Sequence, residues 1–159
     1  MKMRFPIPSS FIIMIIRNLQ KNDNNQVALL IKQLTQNIIE PENLVERIEG
    51  LTEQKNSQFL VAELYGKIIG FGGLTWHLIP SKGLIAWVEE MVVDNRSRGQ
   101  GVGTDLMENI LTLASKKKVK QIKLMSTPMA KSLYEKLGFI KKDNEYLVKS
   151  LPFQHSETH

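Results

Sequence analysis

The 159-residue chain has no cysteine. Disulfides, thiolate metal ligands and a cysteine nucleophile are therefore excluded, and a reducing compartment, the cytoplasm, is the expected location. Long apolar runs are missing too. "FIIMII", Phe11 to Ile16, follows Lys2 and Arg4, but it is too short to cross a bilayer and no small-residue cleavage site comes after it. It reads as part of a first strand, and no membrane partner is expected. Repeats, low-complexity tracts and linkers are also absent, so residues 1–159 are read as one domain. Met1 to Ile13 reads as an extension, with translation starting at Met1 or Met14, and residues 152–159 as a flexible tail.

A hydrophobic share of 42% and a charged share of 23% suit a soluble globular chain that can bury a real core. The net charge of +5 is moderate. It attracts anions but falls short of a nucleic-acid surface, and no nucleic-acid partner is expected.

"MIIRNL" reads as a first strand. Asp23 and Gln26 form a capping box ahead of a helix whose apolar stripe is Val27, Leu30, Ile31, Leu34 and Ile38. Pro41 and Gly50 bracket a second helix. "QFLVAELYGKIIGFGGLTW" gives two strands around a turn at Gly66, and a further strand covers Leu84 to Asp94. A third helix runs from about Gly101 to Lys117. "VKQIKLMS" is the next strand, "MAKSLYEKLG" a short helix, and "FIKKDNEYLVKSL" a last strand or hairpin. The strand–helix–strand unit from Leu84 to Ser126 requires a parallel pair, whereas the preceding strands are a meander. The expected fold is α+β (α/β in looser schemes), a mixed and mostly antiparallel sheet flanked by helices.

Between strand and third helix lies "VVDNRSRGQGVGTDL", with Gly99, Gly101 and Gly103 at alternate positions behind Arg96 and Arg98. Glycine is costly at a helix start unless something must approach the backbone. The first amides of a helix lack intrahelical partners and sit at the positive end of its dipole, where a phosphate can rest on them. Neither the Walker pattern nor G-x-G-x-x-G is present. Tight strand-to-helix packing is the competing explanation for such glycines.

"VEEMVVDNRSRGQGVGTDLMENIL" followed by "AKSLYEKLGFIKK" resembles the GNAT superfamily of acetyl-CoA-dependent N-acetyltransferases, and the element order matches that fold from Met14 to Leu151. The resemblance implies acetyl-CoA as cosubstrate, seated where a parallel strand pair splays apart. It assigns the pyrophosphate to Arg98, Gly99, Gln100, Gly101, Val102, Gly103 and Thr104, and the pantetheine arm to main-chain groups of Met91, Val92 and Val93. One amide there would polarise the thioester carbonyl. Many relatives carry an asparagine where this chain has Thr127; the hydroxyls of Ser126 and Thr127 stand in for it. Tyr134, in "LYEKLGF", is the expected general acid toward the departing thiolate.

An ammonium cannot attack a thioester, so a proton acceptor is needed. Glu89 and Glu90 lie on the strand that carries the thioester. Successive strand residues face opposite sides, and the family's register selects Glu90 as base. Trp76, His77 and Glu89 are the candidate acceptor contacts. Two ligands, His77 and Glu90, make too few for a metal, and none is expected. Lys116, Lys117, Lys118 and Lys120 suit the negative end of a helix without any ligand. The function implied is transfer of acetyl from acetyl-CoA to a primary amine in a ternary complex. The acceptor is a small amine such as an aminosugar, polyamine or aminoglycoside, or alternatively a protein N-terminus or lysine. A non-catalytic coenzyme A-binding module is the alternative from another class, and a homodimer is a family-based expectation.

Overall fold

The computed structural model describes residues 14–152. The expected extension over residues 1–13 and nearly all of the tail from 152 to 159 lie outside them. The described residues form two compact units that divide between Met125 and Ser126.

The first unit carries the sheet. β1 (Met14–Asn18) is followed by a 3-10 turn, α1 (Asn24–Leu34), a second 3-10 turn opened by Pro41, and α2 (Leu44–Gly50). Then come β2 (Ser57–Leu64), β3 (Lys67–Ile79), β4 (Gly83–Val93), α3 (Val102–Lys116) and β5 (Gln121–Lys123). The strands lie in sequence order across one sheet. All neighbours are antiparallel except β4 and β5, which run parallel. β2 and β3 are joined by a two-residue turn in which Tyr65 and Gly66 both have positive φ (48° and 80°). That is the primed geometry whose twist suits a hairpin.

Strand alternation sends two apolar sets to opposite faces. Phe59, Val61, Phe71 and Val92 pack with α1 and α2 residues such as Val27, Leu30, Ile31 and Ile48. Phe59 and Phe71 stack at 5.4 Å between ring centres. The other face is covered by α3. A Cβ placed on Gly70 would strike Leu106 and Val102, and one on Gly72 would strike Met91. Gly70 and Gly72 thus let α3 and Met91 lie close to the strand backbone. Among the described residues no helix is long and apolar enough to cross a membrane.

Several sequence expectations change: α1 ends at Leu34, so Ile38 lies beyond its apolar stripe, and the strand expected over "VKQIKLMS" is confined to Gln121–Lys123. Asp23 precedes α1, but its side chain makes no cap bond to it. It takes both terminal nitrogens of Arg17 at 2.8 Å and the Gln20 amide, while the Gln26 side chain accepts from the Ile68 amide. A nearby guanidinium outcompetes a helix amide for a carboxylate because the bonds are charge-assisted and bidentate. In the second unit, α4 (Lys131–Lys136) forms as expected, yet Phe139 to Pro152 contains no strand. A strand needs a ladder partner, and among the described residues that unit has none to offer.

Arg17 also donates to Glu63 at 3.1 Å, so one guanidinium ties β1, the turn before α1 and β2 together. That guanidinium holds the Asp23 carboxyl below its ordinary range, against the opposing effect of burial. A depressed folded pKa means stabilisation that is present above the ordinary carboxylate range and is lost as pH falls through the folded value. Asp23→Asn should therefore cost about 2 kcal/mol at neutral pH in denaturant unfolding. The gap to the parent should close as the solution is acidified below about pH 4.

Candidate active site

β4 and β5 pair only where Ile85, Ala86 and Trp87 face Gln121, Ile122 and Lys123. β4 then continues through Val88–Val93 with no strand on that side among the described residues. A run of main-chain donors and acceptors is left open, the feature that lets an extended ligand add as a strand.

The open stretch is also bent. On β3, Gly73 faces Glu89 and Phe71 faces Val92, so Gly72 alone answers both Glu90 and Met91. This is a β-bulge, and Glu90 takes the left-handed conformation at φ 54°. For a residue with a Cβ that costs roughly 1–3 kcal/mol, a strain found where function demands it. The bulge re-phases the strand. Met91 lies over Gly72 on the α3 face, whereas Val92 joins the α1/α2 core. Glu89 and Trp87 share the α1/α2 face with Thr75.

The two carboxylates consequently differ from simple alternation. Glu90 is the extra residue of the bulge and is exposed. Glu89 is half-buried, and its carboxylate lies 3.5 Å from the Thr75 hydroxyl. Burial raises its pKa, the Glu90 charge raises it further, and the Thr75 bond opposes both. Trp76 points to the opposite face, where the Lys117 ammonium sits 4.1 Å from its ring centre; the structure does not bring it to Glu89. His77 is exposed, on the same side of β3 as Thr75. Sequence reasoning missed Trp87 and Thr75. The spacing Trp87-x-Glu89 could have signalled the first, since strand residues two apart share a face.

After β4, Asp94 caps a short turn by accepting the Arg96 amide, and α1 holds the loop through Gln33, whose side-chain oxygen accepts from the Asn95 amide at 3.0 Å. The Arg98 Nε donates to the Val93 carbonyl at 3.3 Å. Its terminal nitrogens have no partner among the described residues. Gly99 and Gly101 have φ of 76° and 86°, and nothing lies within 4 Å of a Cβ built on either. The first bond inside α3 runs from the Asp105 amide to the Gly101 carbonyl. The amides of Val102, Gly103 and Thr104 precede it and are available at the positive end of the helix. Gln100 is exposed. Open space beside Gly99 and Gly101 and the free amides at the helix start suit an anion such as a diphosphate, and tight packing does not account for these two glycines.

In the second unit, Tyr134 is buried and meets Phe139 edge-on at 5.9 Å. Burial pushes its phenol pKa upward. Ser126 and Thr127 are exposed; the Ser126 hydroxyl donates to the Thr127 carbonyl, which also accepts the Ala130 amide. Among the described residues no three acidic or histidine side chains are grouped to hold a metal.

Residues 19–158 match the family described as the acetyltransferase (GNAT) domain. The chain belongs to that family. It is 27% identical over 117 residues to glucosamine 6-phosphate N-acetyltransferase 1 of Dictyostelium discoideum, covering 70% of this chain and 74% of that one. Two solved structures share the fold. The glucosamine-6-phosphate N-acetyltransferase of Arabidopsis thaliana has a TM-score of 0.68 at 24% identity, over 89% of this chain and 99% of that one. The aminoglycoside N-acetyltransferase AAC(6')-Iy, in complex with CoA, has a TM-score of 0.75 at 18% identity, over 87% and 95%.

Because both loop glycines adopt the left-handed conformation without crowding, alanine at either is penalised by backbone strain alone. Gly99→Ala and Gly101→Ala should each cost about 1–2 kcal/mol in denaturant unfolding. A loss well beyond that would mean that these positions are packed, against the open space seen around them.

Proposed function

We propose that this acetyltransferase moves the acetyl group of acetyl-CoA to the primary amine of a small acceptor by direct attack within a ternary complex. The observation that carries the reading is the continuous run from Glu89 to Thr104: carboxylate, bulged open strand edge, then a left-handed glycine loop at a helix start. The residues present fit the donor. The amides from Gly99 to Thr104, with Arg98, would hold its pyrophosphate. The main chain of Met91, Val92 and Val93 would pair with its pantetheine arm, and Ser126 and Thr127 remain assigned to that arm. Bound there, acetyl-CoA supplies an activated acyl carbon and a thiolate leaving group.

Glu89 is the proton acceptor in this reading, in preference to Glu90. Its half-buried carboxyl is a stronger base than an ordinary one, and it lies beside the open edge rather than on the outside of the bulge. It takes a proton from the acceptor ammonium, directly or through water, which frees the nitrogen lone pair. One β4 amide steadies the carbonyl oxygen as the C–N bond forms. As the C–S bond breaks, Tyr134 would give its phenol proton to the sulfur, and the second proton lost by the nitrogen as it becomes an amide would return through water to the phenolate. Burial keeps that phenol protonated throughout the working range. The acceptors named for the relatives, an amino sugar phosphate and aminoglycosides, support a small amine.

Calorimetry with coenzyme A, followed by thiol release from acetyl-CoA across an amine set, tests the whole. A wild-type chain giving neither heat nor thiol would end it. Tyr134→Phe and Glu89→Gln should each lower kcat by about 100-fold or more. Because the Glu89 pKa is raised, its base form is lost early on acidification, so the acidic limb of kcat lies above the ordinary carboxylate range. Glu89→Gln should remove that limb; an unchanged limb would pass the role to another group.

A further inference from the structure

Lys123 is the last residue of β5, at the point where β4 and β5 part. It is the register partner of Trp87, and its ammonium lies 5.7 Å from the centre of that ring. Both residues are half-buried. Two positions further along β4 on the same face comes Glu89, which accepts from the Thr75 hydroxyl. Among the described residues neither Lys123 nor Glu89 has an ion-pair partner, and they do not pair with each other. One strand spacing across the sheet and two residues along it put their backbones about 8 Å apart.

Lys123 brings to this face a positive charge that no carboxylate among the described residues matches, and an anionic group of a ligand would supply its counter-charge. A half-buried carboxylate on the same face has the same need for a cation. Resting on the reading above, in which Glu89 meets the acceptor amine, we propose that the acceptor also carries an anionic group and that Lys123 receives it. Glu89 takes the amine end, Trp87 lies between, and the ligand class is a ring-sized primary amine bearing phosphate or carboxylate. Polycationic amines are disfavoured, because a second ammonium would be pressed against Lys123. This specificity is electrostatic, arising as much from repulsion of the wrong acceptor as from attraction of the right one.

The test compares three amines that share one ring and one amino group: glucosamine, glucosamine 6-phosphate and 2-amino-2-deoxyglucuronic acid, with neamine as a polycation. Thiol release from acetyl-CoA gives kcat/KM for each. The wild-type enzyme should favour an anionic amine over glucosamine by about 10- to 100-fold, the span of a charge-assisted contact. The better of phosphate and carboxylate identifies the anion. Lys123→Met should collapse that ratio toward one, and Lys123→Arg should restore most of it. Wild type preferring glucosamine or neamine would overturn the inference. So would a Lys123→Met loss shared equally by all amines, or one appearing in the KM of acetyl-CoA. Failure of wild type to bind coenzyme A at all is a separate result, and it strikes the catalytic reading first.

Discussion

The site depends on one broken ladder. β4 has neighbours on both sides only as far as Trp87; beyond it, no strand among the described residues pairs with one edge, whose backbone groups stay open apart from the Val93 carbonyl that Arg98 engages. Inside a sheet such groups are normally consumed. Here the extra residue Glu90 turns the strand at the same place, accepting left-handed strain to do so. Without that turn, Glu89 and Met91 would share a face and Met91 could not lie over Gly72. The bulge therefore decides together where the open edge points, which carboxylate is sheltered, and how α3 seats against β3.

From that edge the chain runs straight into the glycine loop. Asp94 is buried, accepts the Arg96 amide and pairs with Lys67 at 3.7 Å. Arg98 folds back onto the Val93 carbonyl. Strand end, turn and helix start are thus one connected piece of backbone, and the free amides of α3 are set by the β4 geometry rather than by a flexible loop. Arg98 contributes twice, using Nε on the chain itself while its remaining donors face outward.

Much of this was legible in the sequence, for reasons specific to each part. The alternating glycines announced the loop because few backbones other than a left-handed one need them, and the hairpin followed from Tyr65–Gly66 between two apolar runs. The bulge was not legible. Period-two reasoning assumes unbroken alternation, and "VEEMVV" contains nothing that marks which glutamate is the added residue. Only the register shift between Phe71 and Gly73, together with the left-handed Glu90, shows it. Trp76 looked like an acceptor contact because it ends an apolar run; its partner Lys117 lies at the far end of α3, beyond any local pattern. Asp23 had the right spacing for a cap, but Arg17 across the turn was the stronger suitor. Phe139 to Leu151 had strand composition without a strand to pair with.

The two glutamines of α1 carry a last implication. Gln26 and Gln33 lie two turns apart on one side of the helix, and each receives a backbone amide, from Ile68 and from Asn95. An eleven-residue helix is marginal by itself. Pinned at two points, it can neither slide along its axis nor roll without releasing one of them. The entrance to the glycine loop is therefore riveted to the hydrophobic interior, and it should come loose only when the helix itself lifts from the sheet.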